Sequence, residues 1–105
     1  MNGLDEQTAQ EYARWFYCLA EPTRIRILHT VANATKPLTV GEIVDAVGKS
    51  QATVSRHLKL LAETRYVFLE PEGVRTFVRI NKSCMAALPE AAALIMATDN
   101  AFAAP

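Results

Sequence analysis

The twelve residues SQATVSRHLKLL, positions 50–61, hold the densest set of side chains able to do chemistry in this 105-residue chain. Gln51 and Arg56 carry planar groups that pair bidentately with base edges, glutamine with adenine and arginine with guanine, and Thr53 lies between them. Ser50, Ser55, His57 and Lys59 add hydroxyls, an imidazole and an ammonium. Such groups suit phosphate oxygens, which position a protein on a duplex without reading its sequence. Taken singly, Lys59 is an ordinary solvated lysine and His57 an ordinary half-buried packing residue. Their joint placement carries the argument. Val54, Leu58 and Leu61 recur among them at the spacing of one helix face. The stretch therefore predicts an amphipathic helix with a polar, hydrogen-bonding outer face that includes a histidine and two basic residues.

Other chemistries are poorly provided for. His29 and His57 are the two histidines, and Cys18 and Cys84 the two cysteines, with no spacing that would gather about four donors around a metal. No metal and no cofactor is expected. The chain has no Ser/His/Asp set, no glycine-rich phosphate loop and no paired carboxylates, so an enzyme is not expected. Two cysteines make no disulfide framework for a chain with a core of its own.

Half of the residues are hydrophobic and 21% are charged, a globular balance that suits one domain over residues 1–105. Formal net charge is zero, but its distribution is uneven. Residues 1–48 hold four Lys/Arg and six Asp/Glu, residues 49–82 seven and three, and residues 83–105 none and two. The middle segment is thus +4 and its flanks −2 each, an asymmetry that fits a polyanion-facing surface. The opening MNGLDEQTAQEYARW is polar and acidic, unlike a signal peptide. The longest apolar-leaning run, MAALPEAAALIMA at 85–97, is short for a membrane span and contains Pro89 and Glu90. A cytoplasmic protein with no membrane partner is expected.

The elements that must position the 50–61 stretch follow from periodicity and punctuation. Residues 5–20 predict a first helix with Tyr12, Trp15, Phe16 and Leu19 along one side. A second runs from Pro22 to about Asn33, with proline in the first turn and an apolar stripe of Ile25, Leu28, Val31 and Ala32, Ile27 beside it. Thr39-Val40-Gly41-Glu42 fits a capping box and opens a short helix with Ile43, Val44 and Val47 inward. Gly48 stops that helix and Ser50 caps the next, giving a helix-turn-helix over about 39–64. YVFLE (66–70) and VRTFVRI (74–80) flank the turn Pro71-Glu72-Gly73 and predict a β-hairpin. Asn81 or Ser83 caps a last helix reaching about Thr98, in which Pro89 marks either a kink or the true first turn, and the tail AFAAP frays. The expected fold is mainly α with one hairpin, in the order α-α-α-α-β-β-α: a winged helix-turn-helix.

Over residues 12–80 the chain resembles the ArsR/SmtB family of bacterial winged-helix repressors. LAEPTRIRIL (19–28) is similar to that family's entry into its second helix, GKSQATVSRHLKLL (48–61) to its turn and recognition helix, and EGVRTFVRI to its wing. The resemblance implies a transcriptional regulator, a repressor that binds a (pseudo)palindromic double-stranded DNA operator and releases it when an effector binds. It implies a symmetric homodimer with the first and last helices across the two-fold axis, where Trp15, Phe16, Leu88, Leu94, Ile95 and Met96 would lie. The alternative is that these residues fill the core of a monomer.

In the reading helix, Ser50 and Gln51 sit at the start, where free N–H groups favour phosphate. Gln51, Thr53 and Arg56 are expected at base edges, and the family resemblance places Ser55, His57 and Lys59 at phosphates or bracing the helix. Arg75 projects beside the wing tip. Family members often carry two basic residues after the tip glycine, and Val74 occupies the first of those positions here. Arg79 is expected nearer the body, in a structural salt bridge.

The family's sensors are missing by register. The Cys-x-Cys positions of metalloid sensors are Thr39 and Gly41, and soft ions need thiolates that neither supplies. The Asp-x-His positions of zinc and cobalt sensors are Lys82 and Cys84, followed by Ile95 and Thr98. Three alternatives stay open beside a repressor without a metal site. One is a redox-responsive repressor using Cys18 and Cys84. Another is a regulator whose effector is sensed by a separate partner protein. The third is a winged-helix module for protein docking.

Overall fold

The computed structural model describes residues 3–96. The elements are α1 (Glu6–Cys18), α2 (Pro22–Ala32), β1 (Leu38–Thr39), α3 (Val40–Val47), α4 (Gln51–Glu63), β2 (Val67–Glu72), β3 (Arg75–Ile80) and α5 (Lys82–Met96). The expected reach of the last helix to Thr98, and the tail, lie outside the described residues.

Each helix of the helix-turn-helix starts where a side chain can satisfy free backbone donors. The capping box at α3 is complete: Thr39 N–H donates to Glu42 Oε1 at 2.8 Å, and Glu42 N–H donates to Thr39 Oγ1 at 3.1 Å. Gly48 closes α3 in the left-handed region at φ 70, which costs glycine nothing. Ser50 then caps α4, its Oγ accepting from Thr53 N–H at 3.2 Å. Further back, Glu21 caps α2 by accepting from the N–H groups of Thr23 and Arg24, with Pro22 in the first turn.

The end of α4, expected at about residue 64 from the change of period, has no glycine to mark it. Arg65 takes the left-handed position at φ 66, with its N–H donating to Ala62 O at 3.0 Å and the N–H of Tyr66 donating to Leu61 O at 2.9 Å. That is a Schellman closure built on arginine instead of glycine. Two donors hold the strained residue's carbonyl: Asn81 Nδ2 at 2.8 Å and Cys84 Sγ at 3.0 Å. Asn81 rather than Ser83 caps α5, its Oδ1 accepting from Ser83 N–H at 3.1 Å. Pro89 lies inside α5, so it does not mark the first turn.

The sheet has three strands, not the two of a simple hairpin, in the order β1-β3-β2. Leu38 pairs with Val78 and Thr39 with Phe77, so the residue that caps α3 also ends a strand. Two residues are too few for periodicity to register. The hairpin tip also shifts: Pro71 and Glu72 lie in β2, Glu72 pairs with Arg75, and the loop is Gly73-Val74. Gly73 at φ 64 supplies the positive φ that a two-residue hairpin needs at its first position.

The core lies where α2, α3 and α4 meet the inner face of the sheet. Ile27, Ile43, Val54, Leu58, Leu61, Val67 and Val78 are nearly or fully buried there. On α2 the inward stripe is Thr23, Ile27 and Val31, at i+4 spacing, and Ile25 is 51% exposed rather than inward. α1 and α5 lie at the margin. Cys18 is the only buried residue of α1 and Ala91 of α5, while Trp15 and Leu88 pack partly against the core. Phe16, Leu94, Ile95 and Met96 are exposed, the last three about half or more, so they do not fill this chain's own interior.

Candidate nucleic-acid interface

α4 is held by Val54, Leu58 and Leu61, which turns Gln51, Ala52, Ser55, Arg56 and Lys59 to solvent. Arg56 and Lys59 share the outermost line of the helix, directly opposite the buried stripe. Gln51 and Ser55, four residues apart, share a line nearer the wing and border a groove of about 790 Å³ between α3, the start of α4 and β3. Thr53 is half-buried, and its Oγ1 accepts from Ser50 Oγ at 3.0 Å. It belongs to the capping arrangement and stands behind the exposed line.

His57 turns the other way. Its side chain is 14% exposed, with Nδ1 3.2 Å from Arg24 Nη1 and Nε2 3.6 Å from Glu21 Oε2. Arg24 has only donors, so Nδ1 must accept; the neutral ring then carries its proton on Nε2, towards Glu21. Arg24 Nε also donates to the Cys18 carbonyl at 2.5 Å. One guanidinium thus joins the end of α1, the start of α2 and the recognition helix. Of the two roles open to His57, bracing is the one its contacts fit. Desolvation pushes the Glu21 carboxyl up, but the N–H groups of Arg24 and Thr23 and the charge of Arg24 oppose it, leaving the group below its ordinary value.

In the wing, Arg75 borders the same groove as Gln51 and Ser55, and Val74 at the tip is fully exposed. Arg79 is paired with Glu70 at 2.9 Å, and its guanidinium stacks 4.8 Å from the Phe68 ring centre, the structural salt bridge expected of it. Across the groove, the Glu42 carboxyl is held below its ordinary value chiefly by the Thr39 N–H and hydroxyl, with Lys36 and Arg75 adding positive charge nearby and desolvation opposing.

This geometry has close counterparts. Residues 21–67 match the family model described as "Bacterial regulatory protein, arsR family". The chain is 36% identical over 75 residues to the HTH-type transcriptional regulator Rv2034 of Mycobacterium tuberculosis, covering 71% of this chain and 68% of that one. It is 34% identical over 91 residues to a probable mercury resistance operon repressor of Streptomyces lividans, covering 87% and 70%. The chain belongs to the ArsR family. Among solved structures, it matches the homodimeric winged helix-turn-helix DNA-binding domain of a possible ArsR-family regulator from Mycobacterium bovis, with a TM-score of 0.68, 28% identity, and 89% and 90% of the two chains covered. The transcriptional repressor BigR of Xylella fastidiosa gives a TM-score of 0.68 at 26% identity, covering 90% and 94%. This ArsR-family chain is a winged-helix, DNA-binding transcriptional regulator.

Sequence reasoning missed several residues of this ArsR-type surface. Glu21 and Arg24 belong in the sequence only to a helix entry, because their partner His57 lies far along the chain. Lys36, Glu42 and Asp45 border the groove with Gln51 and Arg75, a juxtaposition that only the β1–β3 pairing produces. The sensor positions and cysteines are also placed. Thr39 is spent on the capping box, and among the described residues no group of three or more His, Cys, Asp or Glu could hold a metal. Cys18 is buried and its Sγ accepts from Thr64 Oγ1 at 3.2 Å. Cys84 donates to the Arg65 carbonyl, and burial pushes its thiol up, away from the reactive thiolate.

Proposed function

We propose that this chain acts as a homodimeric repressor on a pseudo-palindromic operator, placing α4 of each protomer in a major groove and the wing over the adjoining backbone. Gln51 and Arg56 read base edges, Ser50, Ser55, Lys59 and Arg75 hold phosphates, and Thr53 and His57 set the helix that carries them. The observation behind this reading is the outer face of α4: Arg56 and Lys59 exposed opposite Val54, Leu58 and Leu61, with Gln51 and Ser55 facing the groove shared with Arg75. The dimer rests on α1 and α5, whose Phe16, Leu94 and Ile95 are exposed. A stripe of that kind favours a second copy over water.

The chain works by binding rather than catalysis, and in the cytoplasm. Its effector is not a metal held at the Thr39/Gly41 or Lys82/Cys84 positions. No described helix is long and apolar enough to cross a membrane. The test is selection of duplexes from a random pool with the intact chain, followed by sedimentation of the complex. A two-fold-related motif bound by two chains is expected. Enrichment of no motif, or one chain per asymmetric site, contradicts the reading.

A further inference from the structure

Asp45 is badly placed for stability. It sits in the last turn of α3, three residues before the Gly48 stop, where the negative end of the helix dipole repels a carboxylate. Among the described residues it has no ion pair and no side-chain hydrogen bond, unlike Glu42 on the same helix, which closes the capping box. It is exposed, and it borders the groove that also holds Gln51 and Ser55 of the recognition helix and Arg75 of the wing. A backbone strand lying between α4 and the wing would pass this carboxylate. Residues that break a local rule without a compensating contact concentrate at functional sites.

We propose that Asp45 is an affinity-limiting residue of the DNA surface, its carboxylate opposing the phosphates that Arg75 attracts. This rests on the DNA reading above. A regulator must leave its site as well as find it, and one fixed negative charge in the groove lowers the affinity for every duplex without touching base preference. Glu42 lies on the same helix, but its carboxylate is engaged with Thr39 and faced by Lys36 and Arg75, so Asp45 is the unneutralised member.

The test compares the wild-type chain with Asp45→Asn and Asp45→Lys by fluorescence anisotropy, on a duplex selected by the wild type and on a random-sequence duplex, from 50 to 300 mM salt. Asp45→Asn is expected to tighten both duplexes by about three- to tenfold at low salt, a gain that shrinks as salt screens the charge, and Asp45→Lys, which can neutralise a phosphate, to steepen the log–log salt slope by about 0.9. Asp45→Lys extends the same ladder by a second step. A merely structural role would raise the thermal midpoint and leave the slope alone. Unchanged affinity and slope in both variants overturns the proposal, as does a change confined to duplexes differing at one base pair, which would make Asp45 a base reader. If the wild type itself shows no salt-dependent binding to either duplex, the DNA reading has failed and the proposal with it.

Discussion

At position 57 an imidazole in a helix with a polar outer face turns inward, because Arg24 and Glu21 give both ring nitrogens partners that water would otherwise supply. Arg56, one residue away, is exposed. The two are therefore separable by mutation. Arg56→Ala is expected to weaken the selected duplex by about 1–3 kcal/mol and relax preference at one base pair, whereas Lys59→Ala weakens all duplexes alike and lowers the salt slope by about one. Anisotropy on duplexes mutated at each position distinguishes these outcomes. Acid tests the capping carboxylates. Asp5, Glu21 and Glu42 all lie below their ordinary values of 3.8, 4.5 and 4.5. A carboxyl depressed in the folded state contributes stability that is present above its unfolded value and lost as pH falls through the folded one. The urea midpoint is expected to hold from neutral pH to about 5 and to decline below about 4.5, with a shallower decline in Glu21→Gln. An acid decline unchanged by that substitution would remove Glu21 from the account.

Among the elements, those bounded by capping chemistry were legible in the sequence and those bounded by tertiary contact were not. Thr39, Glu42, Gly48 and Ser50 mark α3 and α4 because side chains and positive φ are local properties. β1 is invisible because its two residues become a strand only by pairing with Phe77 and Val78. The inward stripe of α2 is Thr23, Ile27 and Val31 rather than the expected Ile25, Leu28, Val31 and Ala32 for a related reason: three apolar residues in four, at Ile25, Ile27 and Leu28, leave the facing side to be decided by what packs against it. The end of α4 was legible only as the change of period into YVFLE, since Arg65 does what glycine usually does, held there by Asn81 just before α5 and Cys84 within it. Arg65→Gly should therefore stabilise the fold, by about 1 kcal/mol, by removing the left-handed strain. Ser50→Ala should cost about 1 kcal/mol through the lost cap. Urea titration measures both, and destabilisation by Arg65→Gly would mean the arginine side chain contributes more than its backbone costs.

For the whole molecule, a formal charge of zero hides a basic middle segment, and an ordinary hydrophobic fraction hides apolar surface collected at the two terminal helices. The first was readable by dividing the sequence. The second was readable only as a choice between a monomer core and a partner; Leu94 and Ile95 are exposed, while Trp15 and Leu88 pack partly against the core. A Leu94→Asp, Ile95→Asp chain is expected to sediment as a monomer at micromolar concentration and to lose the selected site while keeping its helical circular dichroism. A dimer that survives both changes would place the interface elsewhere. The central claim, that the outer face of α4 reads DNA, is met most directly by one measurement: binding of the selected duplex by the wild type and by Gln51→Ala, Arg56→Ala, across a salt series. The account predicts steep salt dependence in both chains, with the double variant binding selected and random duplexes equally. Retained preference for the selected duplex in the double variant would contradict it.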